Sequence, residues 1–209
     1  MPRPRAVDSA SRARIVRAAA AEFAARGYAG ANVDRIARTA RLNKAMIYYH
    51  FAGKAALYRE ILHDMFGAVH AQVAAVADAD APPREKIRRY VAAIAAEADA
   101  RPHFPPIWLR EIAEGGAHVD QATIAHVRGV LGALRAILDE GHRTGAFQRV
   151  DPMILHAGII APLMFFFATA RIRRKLARGG ATGAADIRID RVIAHIQQLT
   201  LAQLEGRFA

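Results

Sequence analysis

Asn43-Lys44-Ala45-Met46-Ile47-Tyr48-Tyr49-His50-Phe51 decides how this chain folds and what it touches. Ile47 and Phe51 stand four apart, the spacing of neighbours on one helix face, and Asn43 is suited to cap the helix they share. With that pair pointing inward, Lys44, Ala45, Met46, Tyr48 and Tyr49 occupy the outer arc. Two tyrosines and a methionine exposed together make an odd surface for a helix that meets only water. A helix of this size fits the major groove of B-DNA, where Lys reaches guanine acceptors, Tyr hydroxyls reach phosphates and small apolar side chains meet thymine methyls.

Working outward, Ile15, Ala18, Ala19 and Phe23 recur at helical spacing among Arg12, Arg14, Arg17 and Arg26, which predicts an amphipathic helix ended by Gly27. After the turn Tyr28-Ala-Gly-Ala, Asn32 is placed to cap a second helix. Asp34 suits its positive end, and Val33, Ile36, Ala37 and Ala40 supply its buried stripe. A tight connection at Arg41-Leu42 leads to Asn43. From Lys54 a fourth helix carries Leu57, Ile61, Leu62, Met65, Phe66, Val69 and Val73 to about Ala77. Lysine in a first turn opposes the helix dipole, but a phosphate docked there would be favoured by the lysine and by the free N–H groups together. Two short helices joined by a tight turn, the second presenting the polar face, match a helix-turn-helix.

The order Ile15, Phe23, Gly27-Tyr28, then Val33, Ile36-Ala37, then Asn43-Lys44, Ile47-Tyr48-Tyr49-His50-Phe51, Lys54 and Leu57 resembles the DNA-binding domain of the TetR/AcrR family of bacterial transcriptional regulators. Three positions depart from the family pattern. Arg41 stands where a turn glycine is usual, Met46 where a small or hydroxyl residue is common, and Ala55 where an acid is common. The resemblance implies a helix-turn-helix head, here 1–58, and a larger helical ligand-binding and dimerisation body, here 59–209. It implies a homodimer on double-stranded DNA at a palindromic operator, acting in the cytoplasm, with a small-molecule effector whose binding in the body respaces the two heads. Repression rather than activation is the family's usual habit. On this basis Lys44, Ala45 and Met46 face bases, while Tyr48, Tyr49, His50 and Lys54 hold phosphates and Asn43 caps the reading helix; for His50 a packing role is an equal alternative.

The charge agrees. Of a net +11, residues 1–60 carry 12 Lys and Arg against 4 Asp and Glu, a balance of +8, and the other 149 residues carry 18 against 15, a balance of +3. Basic charge concentrated on the motif is the footprint of a phosphate-binding face. The chain has no cysteine, which excludes disulfides and thiolate metal sites. Met1 to Ala6 holds two arginines with no apolar run after them, so it reads as a loose basic arm rather than a signal peptide or anchor.

Beyond the motif the chain reads as all-α. Helices are expected from Pro83 to about Asp99, around Ile107, Trp108 and Ile112, from Val119 to Arg143, from Pro152 towards Leu176, and from Asp190 to Leu204, with a loop over Arg178-Gly-Gly-Ala-Thr-Gly. The run from Ile154 to Ala170 is the most apolar, but it is shorter than the ~20 residues of a membrane span and is interrupted by His156 and Pro162; a buried helix is expected. Its small residues Ala157, Gly158 and Ala161 would admit a second helix, and the family resemblance puts them, with Ile193, Ile196 and Leu199, at the dimer interface. Phe104, Trp108, Glu111, His126, Met164 and Phe165 are the candidates for an apolar ligand pocket with a few polar groups; the effector would be hydrophobic, as for the drug-efflux regulators of the family. There is no Gly-rich phosphate loop, nucleophile elbow or His-Glu-x-x-His, so no enzyme activity, cofactor or metal is expected. His63 and His70 lie seven apart on one helix side, but no third convergent ligand can be named from spacing. The remaining rival is a DNA-compacting structural protein with the same basic head and little sequence preference.

Overall fold

A computed structural model describes residues 4–179, 183 and 187–207, and among these every regular element is helical. The head consists of α1 (Pro4–Gly30), α2 (Val33–Ala40) and α3 (Lys44–His50). Ile15, Ala19, Phe23, Ile36, Ala37 and Ile47 are buried between them, and a fully buried side chain of the size of Ile47 contributes roughly 2–3 kcal/mol. Helix α1 begins earlier than the periodicity suggests, at Pro4, so the backbone of the expected loose arm is helical from that point; residues 1–3 lie outside the described residues. Gly27, at φ 70°, breaks α1 as expected, after which one further turn runs to Gly30.

The α2–α3 turn closes through Arg41. Its backbone is left-handed (φ 53°, ψ 46°), its N–H donates to Arg38 O at 3.0 Å, and the N–H of Leu42 donates to Ala37 O at 3.0 Å. This is a Schellman closure, whose left-handed residue is usually glycine. Arg14 braces it by donating to the carbonyls of Ala40 and Arg41. The turn geometry is therefore kept without the glycine, at a backbone cost of about 1–2 kcal/mol for an L-residue. Arg41→Gly is expected to raise stability by about 0.5–1 kcal/mol, the relief of that strain less glycine's greater unfolded-state entropy. A higher urea midpoint at unchanged slope checks it.

The body contains α4 (Lys54–Asp78), α5 (Pro83–Ala100), α6 (Phe104–Ala113), α7 (Gln121–Arg143), α8 (Pro152–Ala168), α9 (Ala170–Arg178) and α10 (Ile189–Leu204). Helix α4 starts beneath the head and runs into the body against α5 and α7; the expected boundary at 58/59 falls within it. Helix α5 packs against α4, α7, α8 and α10, so Ile87, Tyr90, Val91 and Ile94 are all buried. Helix α6 bridges α1 of the head and α8 of the body.

The single helix expected from Pro152 towards Leu176 is broken at Thr169, where α8 and α9 meet at 53°. Thr169 sits at φ −85°, ψ 2°, and its hydroxyl donates to Phe165 O at 2.6 Å, while Arg173 donates to Phe166 O and to Thr169 Oγ1. These side chains satisfy the last carbonyls of α8 and release the chain from the helix axis. Among the described residues no single helix is long and apolar enough to cross a membrane. The expected loop after Arg178 lies largely outside the described residues.

Candidate nucleic-acid interface and body cavity

Two asparagines fix the reading helix. Asn32 Oδ1 accepts from the N–H of Asp34 at 2.7 Å and opens α2; Asn43 Oδ1 accepts from the N–H of Ala45 at 3.0 Å and opens α3. With Ile47 buried, the face that remains presents Lys44, Ala45, Tyr48 and Tyr49, the last 71% exposed. The Lys44 ammonium lies 2.9 Å from Asp34, whose hydrogen bond holds its pKa above the ordinary lysine value. Lys44 therefore carries its charge at any physiological pH.

Three of the expected contacts sit differently. Met46 is half-buried against the head core, leaving part of its side chain at the surface. His50 is withdrawn: its side chain is 5% exposed and Nε2 faces Asp8 Oδ1 at 3.4 Å, because the last residue of α3 turns towards α1. Lys54 donates to the carbonyls of Tyr28 (2.9 Å) and Ala31 (3.3 Å) and lies 4.5 Å over the Tyr28 ring. Its charge ties α4 to the α1–α2 turn.

In the body, a small cavity of about 40 Å³ opens between α4, α5, α6, α7 and α8, with Phe66, Phe104, Trp108, Val130, His156 and Met164 among its lining. Phe104, Trp108 and Met164, three of the pocket candidates, line this cavity. Three other pocket candidates do not. Phe165, next to Met164, is 68% exposed. Glu111 is fully buried away from the cavity, where its carboxylate accepts from the Tyr58 hydroxyl (2.7 Å) and the His118 backbone N–H (3.1 Å) and faces His118 Nδ1 (2.9 Å). His126 stands between His63 (Nε2 to Nε2, 3.1 Å) and His70 (Nδ1 to Nδ1, 3.4 Å). Burial, then the two neighbouring imidazoles, push its pKa down. The sequence signal for this row was Gly67 and Gly129: a Cβ on Gly129 would lie 2.2 Å from the His70 ring, and one on Gly67 3.4 Å from His126.

His156 was not anticipated as a wall residue. Burial lowers its pKa from 6.5 to about 4, and its Nδ1 is 3.0 Å from the Tyr90 hydroxyl. The unfolded chain thus binds more protons between those two values, so stability rises with pH there: it is complete above pH 6.5 and is lost as pH falls towards 4. For a shift of this size the change is on the order of 3 kcal/mol. Urea unfolding of the wild type across that window is expected to show the loss, and His156→Phe to flatten it; equal slopes in both would contradict the assignment.

Helix α8 presents apolar residues to three directions. Leu155, Ile159 and Leu163 enter the core, His156, Ile160 and Met164 line the cavity, and Ile154, Ala157, Gly158, Ala161 and Phe165 form an exposed stripe. On α10, Leu199 is exposed and Ile193 half-buried, whereas Ile196 is 3% exposed within its own protomer. Ile196 is thus a core residue, because α10 turns it towards α5 and α8.

A helix pair with a capped, exposed second helix on a basic head, set on a helical body, defines a helix-turn-helix DNA-binding regulator. Comparisons with known proteins agree. Residues 15–61 match the family described as bacterial regulatory proteins, tetR family, and residues 83–182 match the tetracyclin repressor-like C-terminal domain. The HTH-type transcriptional repressor NicS of Pseudomonas putida is 30% identical over 164 residues, 77% of each chain. An HTH-type transcriptional repressor of Streptomyces coelicolor is 51% identical over 53 residues, 25% of this chain and 28% of that one. The TetR family transcriptional regulator PfmR of Thermus thermophilus superimposes with a TM-score of 0.71 at 25% identity, covering 92% of this chain and 99% of its own. The chain belongs to the TetR family of bacterial transcription regulators.

Proposed function

We propose that this chain is a homodimeric repressor acting in the cytoplasm, which reads a palindromic operator and is released from it by a small molecule bound in the body cavity. The observation that carries this is the exposed Lys44, Ala45, Tyr48 and Tyr49 face, held rigid by buried Ile47 and the Asn43 cap. Lys44, Ala45 and the exposed part of Met46 meet bases; Tyr48 and Tyr49 meet phosphates. Residues 1–58 act as the reading head and 59–209 as the sensing and pairing body, with α4 common to both.

One reading helix contacts only a few base pairs, and two of them about 34 Å apart read a palindrome. The exposed α8 stripe is the surface we assign to pairing, because its small residues let a partner helix come close. Ala161→Glu is expected to give a folded monomer by sedimentation and to lose about 100-fold in operator affinity; a variant that remains dimeric would contradict the assignment.

Release passes through α6. Phe104 and Trp108 line the cavity, while Arg110, two residues beyond Trp108, donates to the carbonyls of Phe23 (3.0 Å) and Ala24 (2.6 Å), just before the Gly27 break in α1. A ligand pocket commonly needs about 300–1,000 Å³, more than the small cavity described above. An occupant displaces its walls, and the ligand shifts the population of head positions by its differential affinity.

A further inference from the structure

Among the described residues the cavity wall contains no carboxylate, hydroxyl or cationic side chain; its nitrogen-bearing side chains are His156 and Trp108. An indole N–H only donates. For His156 the tautomer follows from Tyr90, whose hydroxyl lies 3.0 Å from His156 Nδ1 and 3.4 Å from Val130 O. The second distance is beyond the ~2.5–3.0 Å of an O–H···O bond, so Nδ1 is the acceptor within ordinary reach. The phenol proton therefore goes to Nδ1, and a neutral imidazole that accepts at Nδ1 carries its hydrogen on Nε2. With Nδ1 tied to Tyr90, Nε2–H is the imidazole group left for an occupant.

From this the structure assigns a ligand class to the cavity: a neutral molecule with an apolar body and a carbonyl-type acceptor, taken by the N–H of His156. The inference rests on the cavity being the effector site. A cationic ligand would meet no carboxylate on the wall and an anionic one no Lys or Arg, and burying an unpaired charge is strongly unfavourable. Met164, unbranched and flexible, is the wall residue best able to move aside for a six-membered ring.

The test uses the full-length ¹⁵N-labelled protein and three probes of similar shape: cyclohexanone, methylenecyclohexane and cyclohexylamine. Binding is followed at the indole N–H of Trp108, the one tryptophan in the chain. The ratio of ketone to hydrocarbon affinity is expected to fall about tenfold in His156→Phe, a comparison in which each probe's own dehydration cancels. The amine is expected to leave Trp108 unperturbed. In the wild type, which needs no variant to fold, the ¹⁵N shift of His156 Nε2 is expected to be that of a protonated ring nitrogen. An unchanged ratio, an amine that binds as tightly as the ketone, or an unprotonated Nε2 overturns the assigned class and leaves the cavity as effector site. No response to either the ketone or the hydrocarbon overturns the effector site itself, and this inference with it.

Discussion

Glu111→Ala is expected to lower the unfolding free energy by about 3 kcal/mol, because it leaves the Tyr58 hydroxyl and the His118 backbone N–H buried without an acceptor. Burial, and then the hydrogen bond to Glu111, hold the Tyr58 pKa above the ordinary tyrosine value, so the phenol remains a donor and needs that acceptor at every working pH. Glu111→Gln keeps a carbonyl oxygen for Tyr58 and is expected to lose about 1 kcal/mol, the difference between a charged and a neutral acceptor. The loss lands where head meets body: Tyr58 packs edge-on against Phe23 at 4.6 Å, and His118 lies 4.0 Å from the Tyr28 ring. The glutamine variant therefore should keep its operator affinity, while the alanine variant melts earlier. Urea unfolding of both variants checks the order, and equal losses would contradict the hydrogen-bond account.

Tyr48→Ala should weaken binding to every duplex about tenfold, whereas Met46→Ala should mainly relax base preference, by about 1–3 kcal/mol at the position it meets. The distinction follows from placement. Tyr48 is exposed on the outer arc of α3, where we propose its hydroxyl meets a phosphate, while Met46 is half-buried and brings only an apolar end to the surface. Affinities on operator and random duplex at one fixed salt concentration separate the two roles. Matching losses on both duplexes for both variants would remove the assignment.

The head was legible in the sequence because its determinants are local. Asn32 and Asn43 cap their helices within two residues, and Ile47 with Phe51 fixes which way α3 faces. What was not legible there depends on partners distant in sequence: Lys54 donates to the carbonyls of Tyr28 and Ala31, and His50 packs with its Nε2 3.4 Å from Asp8. In the body the loss is larger and has a different cause. Helix α8 is apolar on all sides, so its periodicity carries no phase, and nothing in the order of residues separates Met164 on the cavity from Phe165 in the open. The same holds for Ile196 and Leu199, which are three residues apart and turn to opposite environments. Tertiary contacts also placed Glu111 at the head–body joint and His126 in a histidine row, both of which had the composition of pocket residues.

The measurement that tests the central claim most directly is selection of bound duplexes from a random DNA pool by the purified protein, at near-physiological salt so that sequence-independent phosphate binding is suppressed. An enriched palindrome with half-sites about one helical turn apart is the expected result. Retention of DNA with no enriched sequence would contradict it and assign the basic head to a structural role.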